Sequence, residues 1–194
     1  MYRDYYRLKE EPFSITPDPR FVYLTDQHRE AMNHLLYGIC QRKGFICLTG
    51  EVGTGKTTLC RTLLERLGPK VRTALILNPM LTESQLLRAV VEEFGIETRR
   101  RDTLGYLNLL NQFLLKVNAD GGDAALLIDE AQDMPERTLE MTRLLSNLET
   151  HSQKLLQIVL VGQPELREML ARPSLRQLAR SEEHTSELQS PNTI

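Results

Sequence analysis

Residues 50–58 read GEVGTGKTT, and the first eight of them, Gly50-Glu51-Val52-Gly53-Thr54-Gly55-Lys56-Thr57, fit the pattern GxxxxGK[ST] in full. Such a loop works only between a strand that delivers it and a helix that leaves it. Both are written around it: the apolar run GFICLTG comes before, and Lys56 to Leu67 reads as a helix after. The glycines let the backbone curl until successive N–H groups face one point, and the helix N-terminus adds partial positive charge there. Lys56 is placed to reach the β and γ phosphates of a nucleotide, and the Thr57 hydroxyl to ligate magnesium. Thr58 is expected at the α phosphate, while Glu51 and Val52 contribute main chain.

The rest of the chain supplies the frame that such a loop requires. Helical spacing runs from Asp26 to about Gln41, with Asp26 as the expected N-cap and Gly44 as the expected stop. RTALILN (72–78), AALLID (124–129) and LLQIVLVG (155–162) are continuous apolar runs of strand length. Between them, helical periods are predicted over 82–94, 103–117 and 136–148, and Pro164 to Leu170 starts one more helix. Buried runs alternating with helices argue for an α/β fold, a parallel sheet covered on both faces. Residues 1–25, with three prolines in PFSITPDP, are read as an irregular arm, and 26–179 as the nucleotide-binding core.

Whether the chain only holds a nucleotide or also hydrolyses it turns on ALLIDEAQ. Four apolar residues end at Asp129, the pattern of a buried strand that carries a carboxylate to the nucleotide, where it would orient magnesium or its water. Glu130 follows at once and suits a general base for the attacking water. A nucleotide switch does not need that second carboxylate. The strand after it ends at Gly162-Gln163-Pro164, and Gln163 is a candidate to read the γ phosphate or position water, the alternative being a helix-capping or loop glutamine.

Composition excludes several other classes. The formal charge of −2 gives no basic field for nucleic acid, and Arg99-Arg100-Arg101 is read as a solvated loop. Cys40, Cys47 and Cys60 form no CxxC pair, which argues for reduced thiols in a cytoplasmic protein, Cys47 as a core residue. His28, His34, His151 and His184 show no ligand spacing and are read as ordinary polar residues. No stretch approaches the 18 apolar residues of a membrane span.

Taken together, YYRLKEEPFSITPDPRFVYL, HREAMNHLLYGI, GEVGTGKTTLCR, LLIDEAQ and VGQPEL resemble the ExeA-like ATPases of the general secretion pathway, AAA+ proteins of the additional-strand, catalytic-glutamate class. The resemblance runs from Met1 to about Ala179. It implies a three-layer P-loop fold with a five-stranded sheet in the order 5-1-4-3-2, ATP as substrate and Mg²⁺ as cofactor. It further implies that the arm around Pro12, Phe13, Phe21 and Tyr23 approaches the adenine. Family members act at the cytoplasmic face of the inner membrane, where ATP turnover supports assembly of an outer-membrane channel. Their partners are further copies of the ATPase, secretion proteins and, through a C-terminal module, the cell wall.

The segment RSEEHTSELQSPNTI (180–194) breaks every preceding pattern, and its first eleven residues, RSEEHTSELQS, match the translation of a common sequencing adapter. It is expected to be non-native and without regular structure. The last strand of the sheet, the helical lid and the arginine supplied in trans are then expected to be lacking, with Arg176 a poor substitute. The consequences would be weak nucleotide binding, slow turnover and an unpaired sheet edge prone to aggregation. Two other functions share the same core: an ATP-dependent DNA-binding helper of transposition, and a nucleotide-gated scaffold that does not hydrolyse.

Overall fold

The computed structural model describes residues 5–7, 24–99, 102–151, 153–172 and 185–188. In chain order these form α1 (Asp26–Cys40), β1 (Phe45–Gly50), α2 (Lys56–Arg66), β2 (Val71–Ile76), α3 (Glu83–Glu93) and α4 (Thr103–Ala119). Then come β3 (Asp123–Ile128), a 3₁₀ turn (Ala131–Asp133), α5 (Glu136–Ser146), β4 (Gln157–Gly162), α6 (Pro164–Leu170) and β5 (Thr185–Leu188). The strands pair in the order β2-β3-β4-β1-β5, all in parallel.

Alternation along each strand explains the two faces. Phe45 and Cys47 of β1 join Ala74, Ile76, Leu126, Ile128, Ile158 and Leu160 in one core, which α3 and α4 cover with Leu86, Leu87, Val90, Leu110 and Leu114. Ile46 and Leu48 point the other way, with Ala125, Leu127, Val159 and Val161, and are covered by Met32, Leu35 and Ile39 of α1 and Leu59 and Leu63 of α2. The three middle strands therefore read as unbroken apolar runs, because neither of their faces meets water.

Three expectations are corrected at element ends. The N-cap of α1 is Thr25, whose hydroxyl accepts from the His28 N–H, while Asp26 lies inside the first turn and pairs with Arg29. The helix stops at Gln41, and Gly44, at φ +86°, instead serves the turn into β1. The third correction concerns the far edge of the sheet. A last strand was expected to be lacking and 180–194 to be irregular, yet 185–188 pair with β1 from Cys47↔Thr185 to Gly50↔Leu188. The ladder is made of main-chain groups, so a polar segment can fill an open edge that its side chains do not advertise. Pro12, Phe13, Phe21, Tyr23 and Arg176 lie outside the described residues.

Candidate nucleotide site

Parallel pairing puts the C-terminal ends of β3, β4 and β1 side by side, with Leu160 opposite Ile128 on one flank and Gly162 opposite Thr49 on the other. In open α/β sheets this is the end where ligands bind. The loop of residues 51–55, the Asp129-Glu130 pair and Gln163 each follow one of these three strands directly.

Gly53 and Gly55 lie at φ +79° and +81°, a left-handed region that a side chain rarely adopts. The turn is closed by Thr54, whose N–H and hydroxyl both donate to the Glu51 carbonyl, at 3.3 and 2.7 Å. Glu51, Val52 and Gly53 are exposed at its crest. Lys56 is only 6% exposed, and its Nζ donates to the carbonyls of Gly50 (2.7 Å) and Glu51 (2.9 Å). A buried ammonium held by the loop's own carbonyls concentrates positive charge beneath it. No side chain caps the N-terminus of α2, so its first-turn N–H groups are suited to an anion. Thr58 is half-buried in that turn, and its carbonyl accepts from Thr62.

Asp129 is 3% exposed and fully engaged. Its Oδ2 accepts from the Thr57 hydroxyl at 2.6 Å, its Oδ1 from the Glu130 N–H at 3.0 Å, and its own N–H donates to Ile76 at the end of β2. A hydroxyl and a carboxylate in contact offer a divalent cation two hard oxygen ligands. Among the described residues no group of three or more His, Cys, Asp or Glu could hold a metal by itself. That donor set fits Mg²⁺, which keeps waters and takes phosphate oxygens alongside one or two protein ligands. Behind the pair, burial pushes the Cys60 thiol up; Asp129 adds to the rise and Lys56 opposes it.

Glu130 is half-buried and adopts φ +51°, ψ +38°, left-handed although it is not glycine. The conformation turns the chain out of β3 and into the 3₁₀ turn, at a cost of about 1–3 kcal/mol. One carboxylate oxygen accepts from Nε2 of Gln132 at 2.8 Å. Gln163 occupies the N-cap position of α6, but its side chain makes no capping bond, and its main-chain N–H donates to Oε1 of Gln132 at 3.0 Å.

Two residues of this neighbourhood carried no sequence signal. Gln132 is one. The other is His28, an ordinary polar residue by the sequence reading, which the structure brings from α1 to the loop. Its Nε2 lies 2.8 Å from the Thr54 carbonyl and its Nδ1 2.6 Å from the Thr25 hydroxyl. A carbonyl only accepts, so Nε2 carries a proton and donates to Thr54.

A family profile described as AAA domain matches residues 21–170. General secretion pathway protein A of Aeromonas hydrophila is 49% identical over 180 residues, covering 92% of this chain but only 33% of the relative, so the chain spans about a third of that protein's length. Among solved structures, the ORC2 protein of Aeropyrum pernix (ADPNP-ADP complexes) aligns with TM-score 0.66 at 16% identity, over 93% of this chain and 50% of that one. Cdc6p of Pyrobaculum aerophilum aligns with TM-score 0.65 at 17% identity, over 90% and 50%. At such identities these two structures speak for the fold alone. The chain belongs to the AAA domain family, and nearly all of it is similar to general secretion pathway protein A.

Proposed function

We propose that this chain binds ATP and hydrolyses it with Mg²⁺, and that the turnover drives assembly of a secretion or export machinery. The observation that carries hydrolysis is Glu130, a second carboxylate placed directly beside the Thr57–Asp129 pair. The loop N–H groups, the α2 N-terminus and Lys56 hold the phosphates. Two of the three Lys56 N–H donors bond loop carbonyls, which leaves its charge at the loop while it turns to a phosphate oxygen. Thr57 and Asp129 would hold Mg²⁺, which would supply neutralisation of the phosphate charge. Glu130 takes a proton from water as its oxygen attacks the γ phosphorus. The bond to the β–γ bridging oxygen breaks, and ADP and phosphate leave.

The nucleotide reading draws support from the ADPNP and ADP in the ORC2 complexes, and the assembly reading from the name of the Aeromonas relative. Self-association, partner secretion proteins and work at the cytoplasmic face of the inner membrane belong to the same proposal. The test is release of labelled phosphate from ATP by the parent chain and by Glu130→Gln. Turnover is expected to fall about 10²–10⁴-fold with nucleotide affinity kept. Equal turnover would leave a nucleotide-gated scaffold as the better reading. Replacing Glu130 in the host and following channel assembly tests the secretion role.

A further inference from the structure

Gln132 occupies a place that general-base chemistry alone does not explain. It sits in the 3₁₀ turn after β3, and its amide spans the tips of two strands. Nε2 donates to the Glu130 carboxylate at 2.8 Å, and Oε1 accepts from the N–H of Gln163, the first residue past β4, at 3.0 Å. The amide has one orientation that satisfies both partners, because an N–H can only donate and a carboxylate can only accept. Gly162 makes room for it: a Cβ at that position would stand 2.6 Å from Oε1. The last residue of β4 thus lacks a side chain where the amide crosses it.

We propose that Gln132 is a positioning residue for hydrolysis, its amide tying the Glu130 carboxylate to the tip of β4 so that the two move as one. The tie fixes one carboxylate oxygen and leaves the other for water. It also gives the β4 tip, which lies between the phosphate loop and the Asp129-Glu130 pair, a direct mechanical link to the base. Gln163 takes part through its main chain and not through its side chain. This inference rests on the ATP-hydrolysis reading.

Two variants separate the halves of the bridge. Gln132→Ala removes both bonds. Gln132→Glu keeps an acceptor for the Gln163 N–H but sets a second carboxylate against Glu130. In the full chain, both are expected to lower kcat by about ten- to a hundredfold, the cost of a base displaced by about an ångström, with the Kd for ATP within about twofold of the parent. Gly162→Ala, which pushes the amide aside, should reproduce the loss. Adding Gln132→Ala to Glu130→Gln should cost nothing further. A bracket that only braced the strands would leave Gln132→Glu near parental turnover, and that result would overturn the proposal. So would a loss explained by weaker nucleotide binding.

The bridge has a readout independent of turnover. In ¹⁵N-labelled protein, Glu130→Ala should shift the Gln163 amide resonance, and the same substitution in a Gln132→Ala background should not. A parent chain without turnover would sink the hydrolysis reading and the positioning role with it. An unmoved Gln163 resonance would sink the bridge alone.

Discussion

The Thr57 hydroxyl donates to Oδ2 of Asp129 at 2.6 Å, a contact between residues 72 positions apart that locks the first turn of α2 to the end of β3. It joins the two nucleotide motifs through side chains that can both turn to a cation. Thr57→Val keeps the shape and removes the donor, leaving one oxygen of a buried carboxylate unsatisfied. Urea unfolding of the nucleotide-free chain should show a loss of about 1–3 kcal/mol, restored by Thr57→Ser. Chelation of divalent cations should stop turnover in the parent, and Asp129→Ala should remain inactive when Mg²⁺ is added back.

Glu130 combines a catalytic type of side chain with a backbone conformation that suits glycine. Glu130→Ala and Glu130→Gly both delete the carboxylate and its bond to Gln132, so they differ only in what the left-handed backbone tolerates. The glycine variant should be more stable than the alanine variant by about 1 kcal/mol. Both should lose turnover to a similar extent. Denaturant midpoints in the wrong order would mean that the turn relaxes once the side chain is gone.

Much of this was legible in the sequence for definable reasons. The phosphate loop announces itself because only glycine serves at φ +79° and +81°, and because a strand and a helix flank it. Asp129 is legible since four apolar residues run straight into it. Strands β1, β3 and β4 are legible as unbroken runs because both their faces are covered. The contribution of His28 was not, because its partner is a main-chain carbonyl 26 residues away that imposes no pattern on the side chains between. Gln132 was hidden likewise, since one of its partners is also main chain. The edge strand β5 was hidden for a related reason, as its ladder bonds use groups every residue carries. The position of Gln163 directly after β4 is legible, but the group that contacts Gln132 there is its N–H.

His28 bolts α1 to the phosphate loop through the Thr54 carbonyl, so it bears on how well the loop is organised before nucleotide arrives. Losing one such hydrogen bond is worth about 0.5–1.5 kcal/mol. His28→Ala should therefore weaken ATP binding by about three- to tenfold, measured by titration of a fluorescent analogue. Thr25→Val, which removes the hydroxyl that orients the ring, should move affinity in the same direction by less. Unchanged affinity in both variants would show that the loop holds its shape without the bolt.

The three thiols provide a test of the site's burial that needs no nucleotide. Cys40 is exposed, whereas Cys47 and Cys60 are buried. For Cys60 the shift also has a sign: burial disfavours the thiolate and the nearby Asp129 carboxylate disfavours it further, so at any given pH less of the reactive anion is present than in a free cysteine. Alkylation of the native chain with iodoacetamide at pH 8 should therefore modify Cys40 and spare the other two, and all three should react in urea. Neutralising the acidic neighbour with Asp129→Asn removes only the smaller cause, so Cys60 should stay protected in that variant as long as α2 remains packed. Rapid modification of Cys60 in the folded parent would mean that α2 and the end of β3 part readily, and the closed contact between Thr57 and Asp129 would then be a minor state.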